Sequence, residues 1–156
     1  MSRRSRVLSA AVRGVEGEPV IVEVQLDTGL PGTAILGLPD SAVRESRDRV
    51  KAAIHSSGFD FPNGKVLVNL APAHTRKEGP WFDLPIALAI LGAAGALPNV
   101  DFAGSLFVGE LALDGTLRPV RGALSVAQIA RKLQIKKLFV APSSARLCAL
   151  VEGLDV

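Results

Sequence analysis

The chain has 156 residues, a formal net charge of +3, and a hydrophobic share of 48%. This length fits one domain with a sizeable core, and the composition excludes an intrinsically disordered segment. The lone cysteine, Cys148, excludes a disulfide framework and a cysteine metal cluster, and makes a reducing cytoplasm the expected location. The two histidines, His55 and His74, lie far apart in sequence, which gives little support to a histidine-rich metal site.

The first part of the chain predicts three strands. The basic start, MSRRSR, is followed by too few apolar residues for a secretory signal, although its Arg and Ser content leaves a transit peptide open. Alternation of apolar residues predicts strands over Val7–Val12, Val20–Leu26 and Thr33–Leu38, separated by turns rich in Gly and Pro. We expect the three to form an antiparallel meander or hairpin pair.

A helix is predicted to follow, with Asp40 as its N-cap and Gly58 as its C-cap glycine. One face is apolar, and the other carries cations mixed with Glu45 and Asp48. Mixed signs are typical of a solvated helix face, but a nucleic-acid or subunit contact remains the alternative. The cations that would make this contact are Arg44, Arg47, Arg49 and Lys51.

The stretch Lys65–Leu91 predicts a buried strand, a charged loop and a buried helix. Val66, Val68 and Leu70 alternate within a mostly apolar run, which is typical of a strand covered on both faces. Residues 71–80 have loop composition, Asp83 is placed to cap the next helix, and that helix is apolar all round. The longest uncharged run, Leu84–Val100, has 17 residues, fewer than the ~20 that a membrane span needs.

The C-terminal half predicts further strands and two helices. A strand over Ser105–Leu113 leads through the turn Asp114-Gly115 into an antiparallel return, and a helix follows over Gly122–Leu133 with Leu133 inward. Lys137–Ala141 predicts a final strand and Ser143–Glu152 a final helix. The predicted fold class is therefore α+β, an α/β sandwich with a mixed sheet and about four helices.

Nucleotide-binding chemistry is absent from the sequence. A P-loop needs glycines that cradle phosphates, followed by Lys and Ser or Thr. The single Gly-Lys pair, Gly64-Lys65, is followed by Val66 and lacks that pattern. We expect no cofactor in this domain and no ATPase activity from it alone.

Three separated motifs give the chain a resemblance that covers nearly its whole length. They are GLPDSAVRESRDRVKAAI, APAHTRKEGPWFDLPIALAIL and VGELALDGTLRPVRGAL. In this order they resemble the N-terminal domain of the ComM/YifB family, the magnesium chelatase-like AAA+ proteins. The resemblance implies a Lon-protease-like (ChlI-type) domain with the fold of ribosomal protein S5 domain 2. It also implies that residues 1–156 are one domain of a longer protein, whose AAA+ module binds ATP and Mg.

Relatives of this kind are hexameric rings that act in natural transformation, driving DNA branch migration as ATP-fuelled helicases. The partners that the resemblance implies are therefore the chain's own AAA+ module, neighbouring subunits of a homo-hexamer, and branched or single-stranded DNA, with no membrane. Two other functions remain open. One is an active Ser/Lys peptidase domain, and the other is an assembly module of a remodelling ATPase.

The peptidase alternative depends on two positions. Lon-type proteases use a serine nucleophile and a lysine base, and the serine follows Lys-Asp-Gly-Pro. Here Lys77-Glu78-Gly79-Pro80 leads to Trp81, and the run that precedes the dyad lysine leads to Leu124. An indole has one N–H donor and no nucleophile, and leucine accepts no proton. We therefore predict that the domain has no catalytic residues, with Trp81 and Leu124 at the lost dyad positions.

The residues of the loop before the buried helix have more than one possible role. Trp81 and Phe82 would plug the former active-site crevice, or Arg76, Lys77 and Trp81 would form an exposed contact in which the indole stacks on a base. Lys77 and Glu78 could equally form a local ion pair. No metal site is predicted.

Overall fold

The computed structural model describes residues 3–156, which form a six-stranded mixed sheet, a two-stranded ribbon and four helices. The predicted α+β sandwich is confirmed. The basic start of the chain is described from Arg3, where the first strand begins, and Met1 and Ser2 lie outside the described residues. In chain order the elements are β1 (Arg3–Arg13), β2 (Glu16–Asp27), β3 (Gly32–Leu36), α1 (Ser41–Ser56), β4 (Lys65–Ala71), α2 (Asp83–Ala93), β5 (Ser105–Phe107), β6 (Glu110–Leu111), β7 (Leu117–Arg118), α3 (Ala123–Lys132), β8 (Lys137–Phe139) and α4 (Pro142–Cys148).

The strand order of the sheet is β3-β4-β2-β1-β5-β8. β1 and β2 form a long antiparallel hairpin, but β3 does not join them. Instead β4 pairs antiparallel with β2 and parallel with β3, so it lies between the two. The predicted antiparallel hairpin is therefore confirmed for β1 and β2, whereas the predicted meander through β3 is wrong. β4 buries Val66, Val68 and Leu70 completely, which favours an interior position in the sheet, and the shorter β3 is left at the edge.

Two hydrophobic clusters form the core, one on each face of the sheet. The larger cluster packs α1 and α2 against β1, β2 and β4, and the smaller one packs α3 and α4 near β5 and β8. Ala10 and Ala11 are neighbours on β1 but belong to different clusters, because successive side chains of a strand point to opposite faces. Cys148 is buried in the smaller cluster, and this burial raises the pKa of its thiol.

The face that bears α3 and α4 is only partly covered. On β4 this face presents Lys65 and Leu67 to solvent, and Leu67 is 37% exposed. The prediction that this strand is covered on both faces is therefore wrong. Periodicity cannot distinguish a strand with scattered exposed apolar residues from one that is buried on both sides.

The helix ends follow prediction in α1 and depart from it in α2 and α3. Asp40 caps α1, where its Oδ1 accepts a hydrogen bond of 2.8 Å from the Val43 amide, and Gly58 follows with a φ of +87°. The predicted Asp83 cap of α2 is wrong, because Phe82 takes that position without a side-chain bond. Leu133 is 39% exposed rather than inward, because α3 ends at Lys132. None of the helices over residues 3–156 is long and apolar enough to cross a membrane.

The chain leaves the main sheet at Gly109, which breaks the predicted strand Ser105–Leu113. The Gly109 amide donates to the Trp81 carbonyl at 2.9 Å, and its own carbonyl accepts from the Leu84 amide at 3.1 Å. A Cβ at Gly109 would overlap the side chain of Leu117. From there β6 and β7 form an antiparallel ribbon across the turn that was predicted at Asp114-Gly115.

Candidate functional site

The loop over residues 72–80 connects β4 to α2 and is tied to the start of α1. The Lys77 amide donates to the Leu38 carbonyl, and the Asp40 amide donates to the Lys77 carbonyl, both at 2.9 Å. Asp40 Oδ2 also accepts a hydrogen bond of 3.2 Å from the Gly79 amide, while its Oδ1 caps α1. One carboxylate therefore fixes both the helix start and the loop.

Lys77 is buried completely within this loop. Its ammonium donates to the carbonyl of Pro72, and burial lowers the pKa of the side chain below its ordinary value. The prediction that Lys77 is an exposed contact, or an ion-pair partner of Glu78, is wrong. Instead Arg76 pairs with Glu78 at 3.6 Å, and because both side chains are about two-thirds exposed the pair contributes only about 0–1 kcal/mol.

Trp81 lies where the two hydrophobic clusters meet. Its indole is partly buried and packs against both clusters, and the next residue, Phe82, is buried completely. The ring folds back over Gly79, where a Cβ would lie 2.7 Å from it. Among the described residues the buried Nε1 of Trp81 has no hydrogen-bond partner. This packing favours the interpretation of Trp81 as an apolar plug over a base-stacking surface.

Leu124, at the second lost dyad position, lies elsewhere. It lines a groove between α3 and the segment that follows α4, together with Gln128, Arg131, Lys132, Leu150 and Val151. None of the hydrogen bonds of residues 3–156 joins a lysine amine to a hydroxyl. Among the described residues, therefore, no lysine is held by a hydrogen bond as the base of a serine nucleophile.

We expect the Trp81→Ser variant to remain inactive against an unfolded casein substrate. The new hydroxyl would have no base, because Lys77 is committed to the Pro72 carbonyl. Peptide release is measured beside an active Lon-type protease as the positive control. Turnover by this variant that rises above the level of the unmodified chain would contradict the prediction.

The cations of α1 are divided between structural and exposed positions. Arg49 is 19% exposed in its side chain and donates to the buried carboxylate of Asp83 at 2.7 Å, a hydrogen bond that raises the pKa of the guanidinium. It is therefore committed to the interior. Arg44, Arg47 and Lys51 are exposed, and the Lys51 ammonium lies 5.6 Å from the ring centre of Phe61.

Asp83 is the centre of this buried polar cluster. Its carboxylate also accepts hydrogen bonds from the Ser46 hydroxyl and, at 3.0 Å, from the Leu111 amide. It thereby joins α2 to α1 and to the β6–β7 ribbon. Among the described residues no group of three or more His, Cys, Asp or Glu side chains is arranged to hold a metal ion.

A second group of cations was missed by the sequence analysis. Between Gly115 and Val151 the chain has seven Lys and Arg and no Asp or Glu, whereas the rest has eleven Lys and Arg against fifteen Asp and Glu. Counting charge along the chain would have found this contrast of +7 against −4. Six of these cations are exposed on α3, α4, β8 and the segments that flank them, a part of the chain that we call the basic end: Arg121, Arg131, Lys132, Lys136, Lys137 and Arg146.

Comparison with known proteins agrees with the resemblance. Residues 22–144 match the family model described as subunit ChlI of Mg-chelatase. The chain is 44% identical to the uncharacterized protein YifB of Escherichia coli strain K12, over 96% of the chain and 29% of that relative. It is 41% identical to the competence protein ComM of Haemophilus influenzae, over 93% of the chain and 28% of that relative. The chain thus spans less than a third of the length of these relatives.

Proposed function

Because this chain belongs to the magnesium chelatase-like family that includes YifB and ComM, we propose that it is a non-catalytic, Lon-like accessory domain of an AAA+ protein and that it engages DNA. In this proposal ATP and Mg bind a separate AAA+ module, and the whole protein is a cytoplasmic homo-hexamer. The proposal includes a role in natural transformation and branch migration, and the name of the Haemophilus relative, a competence protein, supports the first of these.

The observation that carries DNA engagement is the separation of charge. A cluster of exposed cations without neighbouring carboxylates attracts a phosphate backbone, since each neutralised phosphate releases counterions. The basic end comes nearer to this description than α1. Its six cations have Asp155 beside them, where it pairs with β8 at Lys137, whereas on α1 Glu45 and Asp48 lie among three exposed cations. The groove beside it, floored by Leu124, Leu150 and Val151, adds apolar surface on which a base could lie.

The second candidate function is an assembly module that contacts neighbouring subunits. It is favoured by the apolar side chains exposed on α4 and in the segment that follows, where Leu147 is 46% exposed and Leu150 is 73% exposed. These two residues border the basic end, so the two functions have to be separated by experiment.

We expect the triple variant Arg131→Gln/Lys132→Gln/Lys136→Gln to bind single-stranded and branched DNA more weakly than the unmodified chain, and with a shallower salt dependence. Each phosphate contact removed should lower the slope of log K against log salt by ~0.7 for single strands and by ~0.9 for duplex arms. Binding is measured by fluorescence anisotropy between 50 and 200 mM salt. Over this range a protein that makes 6–10 phosphate contacts loses roughly 10³–10⁵-fold in affinity.

The matched control is Arg44→Gln/Arg47→Gln/Lys51→Gln on α1, which removes the same charge from a different surface. Equal loss in both triple variants would show that net charge alone drives binding and would contradict a site at the basic end. Failure of the unmodified chain to bind either DNA would contradict DNA engagement. Disruption of the assembly by Leu147→Ser, a residue outside the groove, with DNA binding unchanged, would favour the assembly function.

A further inference from the structure

The two edge strands of the main sheet differ in whether another segment of the chain covers them. At the β8 edge the C-terminal segment covers the strand, where the Leu138 amide donates to the Asp155 carbonyl at 2.8 Å and the Asp155 amide donates to the Lys136 carbonyl at 2.9 Å. At the other edge β3 pairs only with β4 over the described residues. Backbone groups on the outer side of β3 are therefore left without a strand partner.

The sequence of β3 lacks the features that keep an edge strand from pairing. Charged side chains, proline, bulges and covering segments normally protect an open edge. Gly32–Leu36 has no charge and no proline, and the apolar side chains at and beyond its end, Leu36 and Leu38, are 49% and 53% exposed. An edge of this kind is a template for another strand.

A groove runs beside this edge, between β3 and α1. It is lined by three consecutive strand residues, Thr33, Ala34 and Ile35, and by Arg44 and Arg47 of the helix. Consecutive residues of a strand line one groove only where the backbone itself forms its wall, because their side chains alternate between faces. Arg44 and Arg47 form no ion pair with any described residue, and the neighbouring Glu45 pairs with Arg49.

We propose that the β3 edge binds an extended segment of a partner protein as an added strand, and that this segment alternates acidic and apolar residues. Main-chain hydrogen bonds to β3 would supply affinity, and side chains at every second position would supply specificity. One set would point toward α1, where carboxylates meet Arg44 and Arg47. The other set would point to the opposite face, where apolar groups meet Ala34 and Leu36.

The open backbone edge favours a peptide over a nucleic acid as the occupant. Arginines alone would suit either a phosphate or a carboxylate. Only another polypeptide strand, however, can satisfy the amides and carbonyls of β3 at strand spacing. With five residues in β3, the matching segment is five to seven residues long, on the order of one short strand. The β3 edge and the basic end are different surfaces, since β3 and β8 lie at opposite edges of the sheet. This proposal is therefore independent of the proposal that the chain engages DNA.

The test uses a synthetic peptide of alternating valine and glutamate, labelled for fluorescence anisotropy. We expect the peptide to bind the chain, and the Arg44→Glu/Arg47→Glu variant to bind it at least tenfold more weakly. The matched control, Arg131→Glu/Lys132→Glu, makes the same change of charge at the basic end and should leave peptide binding unchanged. A peptide of alternating valine and lysine should show the opposite preference, binding the Arg44→Glu/Arg47→Glu variant better than the unmodified chain.

Two further measurements separate an added strand from simple charge attraction. N-methylation of alternate peptide amides on the pairing side should abolish binding, and the amides of β3 should exchange more slowly with the peptide bound. Equal binding of the N-methylated and unmodified peptides would overturn the proposal. It would also be overturned if Arg44→Glu/Arg47→Glu weakened binding of an oligonucleotide but not of the peptide, since the two arginines would then serve DNA. Circular dichroism checks that the variants remain folded.

Discussion

Replacing Asp83 with alanine is expected to destabilise the fold by about 3–5 kcal/mol, the cost of breaking a buried ion pair by removing one partner. The side chain is buried completely, and its carboxylate accepts from two nitrogens of Arg49 at 2.7 and 3.1 Å. Without it, the largely buried guanidinium loses its counter-charge and the Leu111 amide loses its acceptor. The free energy of unfolding is measured by urea denaturation.

Glu45→Ala is the matched control for Asp83→Ala. Glu45 contacts the same guanidinium at 3.4 Å, but its side chain is 70% exposed, so we expect a loss of at most about 0.5 kcal/mol. The double variant Asp83→Leu/Arg49→Met should recover part of the stability, because apolar replacement of both partners leaves no buried charge. A loss below about 1 kcal/mol in Asp83→Ala would mean that Arg49 finds another partner or reaches water.

Gly37→Ala is expected to destabilise the chain by at least about 2 kcal/mol. Gly37 has a φ of +103°, a conformation that L side chains rarely adopt, and a Cβ there would overlap the carbonyl oxygen of Leu70 on β4. The substitution must therefore push β3 away from β4 or distort the link to α1. The melting temperature and urea midpoint report the change.

Gly32→Ala, five residues earlier, is the control for Gly37→Ala. No atom lies within 4 Å of the position its Cβ would occupy, and its φ is not in the left-handed region. We expect this variant to change the free energy of unfolding by less than about 1 kcal/mol. If the two variants were equally stable, the close approach of Gly37 to Leu70 would not be a constraint on the fold.

Local features of the chain were predictable, whereas pairing between distant elements was not. The α1 cap depends on Asp40 and an amide three residues away, so the sequence around it contains the whole signal. The partner of β3 depends on a strand that begins 29 residues after β3 ends, and turn composition cannot distinguish a meander from an inserted strand. The predicted cap role of Asp83 failed for the same reason, since its partners lie on α1 and beside β6.

For the candidate site, the sequence predicted which residues lack catalytic chemistry better than it predicted which residues are buried or exposed. Residue identity alone shows that Trp81 and Leu124 cannot act as nucleophile and base. Composition could not show that Lys77 is buried, because lysine is almost always exposed and its neighbours Arg76 and Glu78 are charged. The sequence pattern does not distinguish the four α1 cations from one another, yet in the fold Arg49 is bound to the buried Asp83 while Arg44, Arg47 and Lys51 are exposed.

The double role of Asp40 mechanically couples two regions that the sequence separates by more than thirty residues. One oxygen of its carboxylate sets the first turn of α1, and the other anchors the Gly79 amide next to Trp81. A displacement of α1 by a strand seated against Arg44 and Arg47 would therefore pull directly on the loop that positions the indole. The fluorescence of Trp81, the single tryptophan of the chain, is thus a built-in reporter for events at the β3 edge.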